Sequence, residues 1–284
     1  MSFETSPDPI DQSGLVPTQV PLRSFGIFGT YVHGVNRRAA RSILAQFIEA
    51  GEPRQLVTVN VDFLRIAESV PALKAVINTS ALAVPDGKPL VWLARCVGLR
   101  DCERVTGPDL IEAAAALSVE QGTRLFFLGG TAEAAEGAKR ALESRHPGLQ
   151  VCGMFAPPEA SYPFPEELDH EICDRIREAK PDVLFVAFGC PKQDLWIRDH
   201  LQELGVPVSV GIGGSFNFLS GRVSRAPTKL QHLGLEWVYR LWREPRRLWR
   251  RYLLHDLPFV LRLAVAEVMA GYPSRRQPGL SLRD

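Results

Sequence analysis

The sequence predicts an α/β fold: a mainly parallel sheet covered by helices on both faces. Three observations carry this. Short apolar runs such as Gln55–Asn60 (QLVTVN) and Asp182–Phe188 (DVLFVAF) lack polar alternation, as strands buried on both faces do. These runs alternate along the chain with amphipathic segments of helical length. Most of them also end in Gly, Asn or Asp, the residues that turn a chain sharply out of a strand.

Residues 1–22 are rich in Pro, Ser, Asp and Gln and predict a disordered segment. Phe25–Tyr31 reads as a strand and Asn36–Ala50 as a helix. The strand 55–60 precedes a helix over Asp62–Glu68, for which Asp62 is the expected cap. Leu82–Val84 is a short strand ending in Pro85-Asp86-Gly87, followed by a helix over Leu90–Val97. Pro108 fits the first position of a helix running to Gln121. The second half continues the alternation. Arg124–Leu128 is a strand ending in Gly129-Gly130, and a helix follows to Arg145. Leu149–Phe155 is a strand, Glu166–Ala179 a helix, and 182–188 a strand. Gln193–Leu204 is a helix, and Val206–Ile212 a strand ending in Gly213-Gly214.

The character changes after Gly221. Residues 234–251 read GLEWVYRLWREPRRLWRR and hold Trp237, Trp242 and Trp249, three of the five tryptophans. The division expected is a leading segment 1–22, a catalytic α/β domain 23–221, a basic helical appendage 222–270 and a tail 271–284.

Composition narrows the function. The 284 residues are 45% hydrophobic, enough for one large domain, and the net charge of +1 marks no nucleic-acid binder. The five cysteines form no C-x-x-C pair and no zinc-ligand spacing with His, so reduced thiols are expected. The N-terminus has no basic start followed by an apolar core, which excludes an ordinary signal peptide. No run reaches the ~18 apolar residues of a membrane span. Together these predict a soluble or peripheral protein.

In open parallel sheets, ligands bind beyond the carboxyl ends of the strands. That edge is expected to carry Asn60, Asp86, Gly129, Gly130, Gly189, Gly213 and Gly214. Three glycine turns, Gly129-Gly130-Thr131, Gly189-Cys190-Pro191-Lys192 and Gly213-Gly214-Ser215, suit a nucleotide diphosphate. Each alone is equally a plain turn. None fits G-x-G-x-x-G, which argues against a nicotinamide enzyme. Asp86 suits a general base or, alternatively, a residue that caps the next helix or closes the turn. Lys192 and Gln193 suit a sugar or phosphate, or simply a solvated helix start. The appendage arginines at 246, 247, 250 and 251 form one stripe, which suits an anionic membrane surface or a diphosphate. A helix packed on the core with a solvated face is the alternative.

Taken together, the segments TVNVDFLRIA (58–67), VPDGKPLVW (84–92), ERVTGPDL (103–110), FFLGG (126–130), FGCPKQDLWI (188–197), GIGGSFNFLSGRVSRAP (211–227) and GLEWVYRLWREPRRLWRRYL (234–253) resemble the WecG/TagA/CpsF glycosyltransferase family. The resemblance implies a Rossmann-like fold and inverting transfer from a UDP-sugar to a polyprenyl-diphosphate-linked sugar in cell-envelope polymer synthesis. It implies no metal and no cofactor beyond the UDP-sugar substrate. It also implies a C-terminal appendage that docks on the membrane, hence a peripheral place at the cytoplasmic face of the cell membrane. A homo-oligomer is compatible with it, and no nucleic acid is expected. Asp86 matches the family's base. The substrate-binding set it suggests is Thr58, Asn60, Gly87, Arg104, Gly107, Gly129, Gly130, Gly189, Lys192, Gln193, Gly213, Gly214 and Ser215, with Arg240 and Arg247 of the appendage on phosphate. This chain departs from the usual pattern at Val59, Lys88 and Asn217. The rival classes are a nucleotide-dependent oxidoreductase or epimerase, whose motifs are absent, and a non-catalytic scaffold of a polysaccharide assembly complex.

Overall fold

The structure is a computed structural model that describes residues 22–223, 227, 230, 236–243 and 245–262. The expected tail 271–284 lies outside the described residues, as does all of the leading segment except Leu22. Leu22 itself is 6% exposed and packs into the core.

Six parallel strands form the sheet: β3 (Arg54–Val59), β4 (Leu82–Pro85), β5 (Arg124–Gly129), β6 (Gln150–Phe155), β7 (Val183–Ala187) and β8 (Val208–Gly211). Their order is β4-β3-β8-β7-β5-β6. The preceding β1 (Ser24–Ile27) and β2 (Thr30–His33) are not part of it. They form a separate antiparallel hairpin, which corrects the single strand expected over 25–31. Phe28 and Gly29 both take positive φ, 48° and 76°, the two-residue turn whose twist suits a hairpin. An apolar Phe at the first turn position hides that turn from a reading of pattern alone.

Strand residues alternate between two helical layers, as the 2.0-residue period of a strand requires. Leu56, Phe127, Phe185 and Val210 face one core, shared with α1 (Arg37–Ala50), α5 (Gly107–Gln121) and α6 (Ala132–Arg145). Val57 and Val59 face the opposite side, under α2 (Val61–Ser69), α3 (Pro71–Thr79) and α4 (Lys88–Cys96). Phe126, Leu128, Leu184 and Val186 also face away from the first core, packing on α7 (Glu166–Ala179) and α8 (Lys192–Leu204). The central strands are thus apolar on both faces, the condition that forces a parallel sheet inside two helical layers.

Helix starts follow capping chemistry. Asn36 caps α1 and Thr131 caps α6, each side chain accepting from a backbone N–H three residues on. Thr106 and Asp109 form a reciprocal capping box at α5, with Pro108 in its first turn. The helix α3 was not anticipated; Pro71 opens it directly after α2.

The short α9 (Ser215–Leu219) follows β8. Beyond it, the described C-terminal region includes α10 (Glu236–Arg243), α11 (Pro245–Trp249), a π-helical segment (Arg250–Asp256) and the helical residues 257–262 that follow. That region docks at several points. Phe259 is buried, its ring edge-on to Phe28 at 5.6 Å. Arg262 pairs with Glu68, and Asp256 lies 3.6 Å from Arg65.

Candidate active site

The carboxyl ends of the strands form one edge, as the parallel order requires. At the β3–β4 end, Val59 pairs with Pro85, and the Asp86 N–H donates to the Val59 carbonyl at 2.7 Å. Asp86 is therefore held at the very end of β4. It does not serve as a helix cap: α4 begins after Gly87 and has no side-chain cap hydrogen bond.

Asn60 takes the capping role expected of Asp62. Its Oδ1 accepts from the Phe63 N–H at 3.1 Å at the start of α2. The helix begins one residue earlier than its apolar pattern suggests, because an Asn in extended conformation meets the cap requirement first. Asp62 then sits in the first turn and binds Arg65 at 2.6 Å.

Asn60, Asp62, Asp86, Gly87, Lys88 and Arg104 line a cavity of about 330 Å³, closed by Trp92, Trp237, Asp256 and Leu257. Arg104 forms an ion pair with Glu236 of α10, and the two side chains are only 12% and 18% exposed. Burial alone would weaken the Arg104 charge. The hydrogen bond and charge of Glu236, aided by Asp86 and Asp109, outweigh it and hold the guanidinium more firmly protonated. Burial lowers the Lys88 ammonium from its ordinary value, and Arg104, Arg95 and Arg37 lower it further. The cavity thus places the carboxylates of Asp62, Asp86, Glu236 and Asp256 beside the cations of Lys88 and Arg104 in a part-apolar pocket, an arrangement that can hold a polar substrate with a hydroxyl to deprotonate.

The glycine end is built differently. Gln193 is 1% exposed, and its Oε1 accepts from both the Gly189 N–H (3.2 Å) and the Gly213 N–H (2.9 Å). The Gly130 N–H donates to the Ala187 carbonyl. These three amides, expected to face a phosphate, are each engaged within the protein. The glycines have steric reasons as well. Gly129 has φ of 85°, and a Cβ there would lie 2.8 Å from the Phe188 ring. A Cβ on Gly107 would lie 2.3 Å from Ser215 Oγ, so these two predicted residues touch. Ser215 is buried and donates to the Ile212 carbonyl, and Thr58 Oγ1 donates to the Gly211 carbonyl at 3.2 Å. The Lys192 Nζ donates to the Ala160 carbonyl at 3.2 Å. A Cβ on Gly213 or Gly214 would meet nothing within 4 Å.

The structure therefore brings Asn60, Asp86, Gly87 and Arg104 together around one cavity. It brings Thr58, Gly107, Gly189, Gln193, Gly213 and Ser215 together around the end of β8, through contacts with Gly211, Ile212 and Gly213. The Arg240 and Arg247 side chains lie outside the described residues. Trp92, Asp256 and the Arg104–Glu236 tie were not anticipated, since each depends on contacts distant in sequence. Glu236 did carry one signal, as one of only two acids in a basic stretch.

Among the described residues, one trio has metal-ligating chemistry, Asp169, Cys173 and His200, between α7 and α8. Asp169 is already engaged, by Trp196 Nε1 at 2.7 Å and His200 Nε2 at 2.9 Å. Burial pushes the Cys173 thiol up to about 12. His33 serves the fold, its Nδ1 accepting from the Ala83 N–H at 3.0 Å.

Comparison with known proteins agrees with this frame. The chain belongs to the WecG/TagA/CpsF family of glycosyl transferases, whose sequence model matches residues 25–272. It is similar to an N-acetylglucosaminyldiphosphoundecaprenol N-acetyl-beta-D-mannosaminyltransferase of Bacillus spizizenii, at 31% identity over 73% of this chain and 77% of the relative. A protein of the same name from Staphylococcus aureus is 30% identical over 75% of this chain and 80% of the relative. Among the described residues, no helix is long and apolar enough to cross a membrane.

Proposed function

We propose that this glycosyltransferase moves an N-acetylhexosamine from a UDP-sugar to a polyprenyl-diphosphate-linked sugar with inversion at the anomeric carbon. The observation that carries the reading is Asp86, a carboxylate at the end of β4 that lines the cavity together with Lys88 and Arg104. Both named relatives transfer an N-acetylmannosaminyl group to an N-acetylglucosaminyl-diphospho-lipid, which makes that the first donor and acceptor pair to try.

In this reading the acceptor sugar enters the cavity, and Asp86 takes the proton of its attacking hydroxyl. Asn60, Gly87 and Arg104 line the acceptor side. The donor diphosphate lies toward Gly129, Gly130, Gly189, Gly213 and Gly214. Inversion requires one base, opposite the leaving group, so a second carboxylate nucleophile is not needed. Arg104 and Lys88 offer fixed positive charge to the acceptor or donor phosphates, the kind of preorganised stabilisation that lowers a barrier without a metal. The exposed Trp237, Trp242, Trp249, Leu253, Leu254, Leu257 and Leu261 suit insertion at the inner face of the membrane where a polyprenyl acceptor resides.

The test is UDP release against a panel of UDP-hexoses and UDP-N-acetylhexosamines, with a short-chain polyprenyl-diphosphate sugar and EDTA present. Acceptor-dependent release with one donor, lost in Asp86→Ala with the fold intact, is expected. Release that vanishes in EDTA and returns with a divalent cation would overturn metal independence. Release unchanged in the variant would remove Asp86 as base, and no donor binding at all would favour a scaffold.

A further inference from the structure

Behind the glycine turns lies a buried charge that the reaction does not use. Asp194, in the first turn of α8, is 0% exposed, and neither carboxylate oxygen makes a hydrogen bond of normal geometry. Buried carboxylates are ordinarily paired, because desolvating an unpaired one is costly. Its backbone is fixed, the Asp194 carbonyl accepting from Gln55 Nε2 at 2.9 Å. Its Oδ1 and the Gln193 Nε2 converge on Gly211: a Cβ there would lie 2.6 Å from each. The other end of the Gln193 amide, Oε1, fills the cradle formed by the Gly189 and Gly213 N–H groups. Two backbone N–H groups aimed at one oxygen make an anion-binding concavity. Here a neutral amide oxygen occupies the position a phosphate oxygen would take, with a carboxylate close behind it.

We propose that Asp194 is a positioning residue that controls this cradle: neutral, it lets a phosphate oxygen of the donor replace Gln193 Oε1; ionised, it repels that phosphate and holds Gln193 in place. This rests on the nucleotide-sugar reading above. Donor binding then takes up one proton, which adds to the Asp194 carboxylate, and no covalent bond breaks.

Both forms of Asp194 are populated near neutrality. Burial pushes its carboxyl up to about 7, against the smaller opposing pull of the Gln193 amide and its own backbone N–H. The strands packed on it, β7 and β8, bring no titratable side chain. From β3 comes Gln55, which does not titrate; Arg54 lies on the other face, over the Phe47 ring, and from α3 comes Lys74, bound to the Phe28 carbonyl. From α7 come Cys173 and Asp169, the latter bound to His200 and Trp196. The helix α8 itself brings Lys192, bound to the Ala160 carbonyl, and Arg198 one turn on, bound to Asp199. None of these is among the causes of the shift.

The probe is UDP-N-acetylglucosamine, whose diphosphate does not titrate near neutral pH, measured by calorimetry with the full chain in buffers of different ionisation enthalpy. The wild type is expected to take up close to one proton above pH 7, with Kd weakening by about tenfold per pH unit there. Asp194→Asn is expected to bind with no proton uptake and a flat Kd. Wild-type binding without proton uptake, or the same slope in the variant, overturns the proposal and leaves the donor reading standing. No binding at any pH, with this or any other UDP-sugar, overturns both. A measurement free of any variant is the carbon NMR titration of aspartate-labelled wild type. A carboxyl titrating near neutrality should move up by more than one pH unit when donor is added, and a carboxyl that stays put refutes the linkage.

Discussion

The two ends of the active-site edge are built on opposite principles. At the β3–β4 end, Asp86, Lys88 and Arg104 surround an open cavity of about 330 Å³. At the β5–β7–β8 end, the expected phosphate donors are turned inward, with Gln193 tying Gly189 to Gly213. The first end gathers charged side chains around a pocket. The second is sterically dense and hydrogen-bonded within itself. A glycine turn after a strand is therefore not in itself an open phosphate site: an internal acceptor must first give up its amides.

Asp86→Ala should sharpen the contrast most. Removing a general base is expected to cost about 10²–10⁴-fold in acceptor-dependent turnover, with unchanged circular dichroism. A residual rate within tenfold of wild type would move the chemistry away from the open end.

At the dense end, Gly129→Ala is expected to act on the fold. Its positive φ and the approach of Phe188 predict a loss of about 1–3 kcal/mol in urea unfolding. A neutral result would show that the turn is looser than its contacts indicate.

Arg104→Ala breaks the tie between the cavity and α10. Leaving Glu236 part-buried without its cation should cost about 1–3 kcal/mol and expose α10 to limited proteolysis ahead of the sheet. Equal digestion of both proteins would show that the C-terminal helices dock without this pair.

The pH dependence of stability separates the ends again. Asp194 titrates at about 7 in the fold, above its ordinary 3.8. The folded state therefore binds its proton more tightly than the unfolded chain does. Stability from this group is fully present below about pH 4 and is lost as pH rises to about 7. Wild type should lose thermal stability over that window relative to Asp194→Asn, and parallel melting curves would contradict the burial.

The smallest effect is expected at Trp242, 74% exposed on α10. Trp242→Ala should change stability by less than about 0.5 kcal/mol while weakening sedimentation with anionic vesicles. Unchanged vesicle binding would place membrane contact elsewhere.

Much of this architecture is legible in the chain. Uninterrupted apolar runs such as DVLFVAF can be satisfied only by burial on two faces, so the parallel sheet and its helical layers follow from composition at the strands. Asp86 is legible as a carboxylate at a strand end. Whether it caps a helix is not, because that depends on where α4 begins. The exchange of roles between Asn60 and Asp62 has the same origin: both are good caps, and a one-residue difference in helix start decides between them. The β1–β2 turn was hidden because Phe28 adopts a positive φ that few large side chains adopt.

The chain alone determined the alternation of the six sheet strands with most of their helices and the strand end at which Asp86 lies, because these depend on local pattern and on the direction of a parallel sheet. Tertiary structure decided which polar groups remain open to a substrate. The pairing of Arg104 with Glu236, 132 residues apart, and the capture of Gly189 and Gly213 by Gln193 arise only once distant segments meet. A hydrogen-bonding group has no inherent allegiance. Its availability depends on which partner the fold brings within about 3 Å of it.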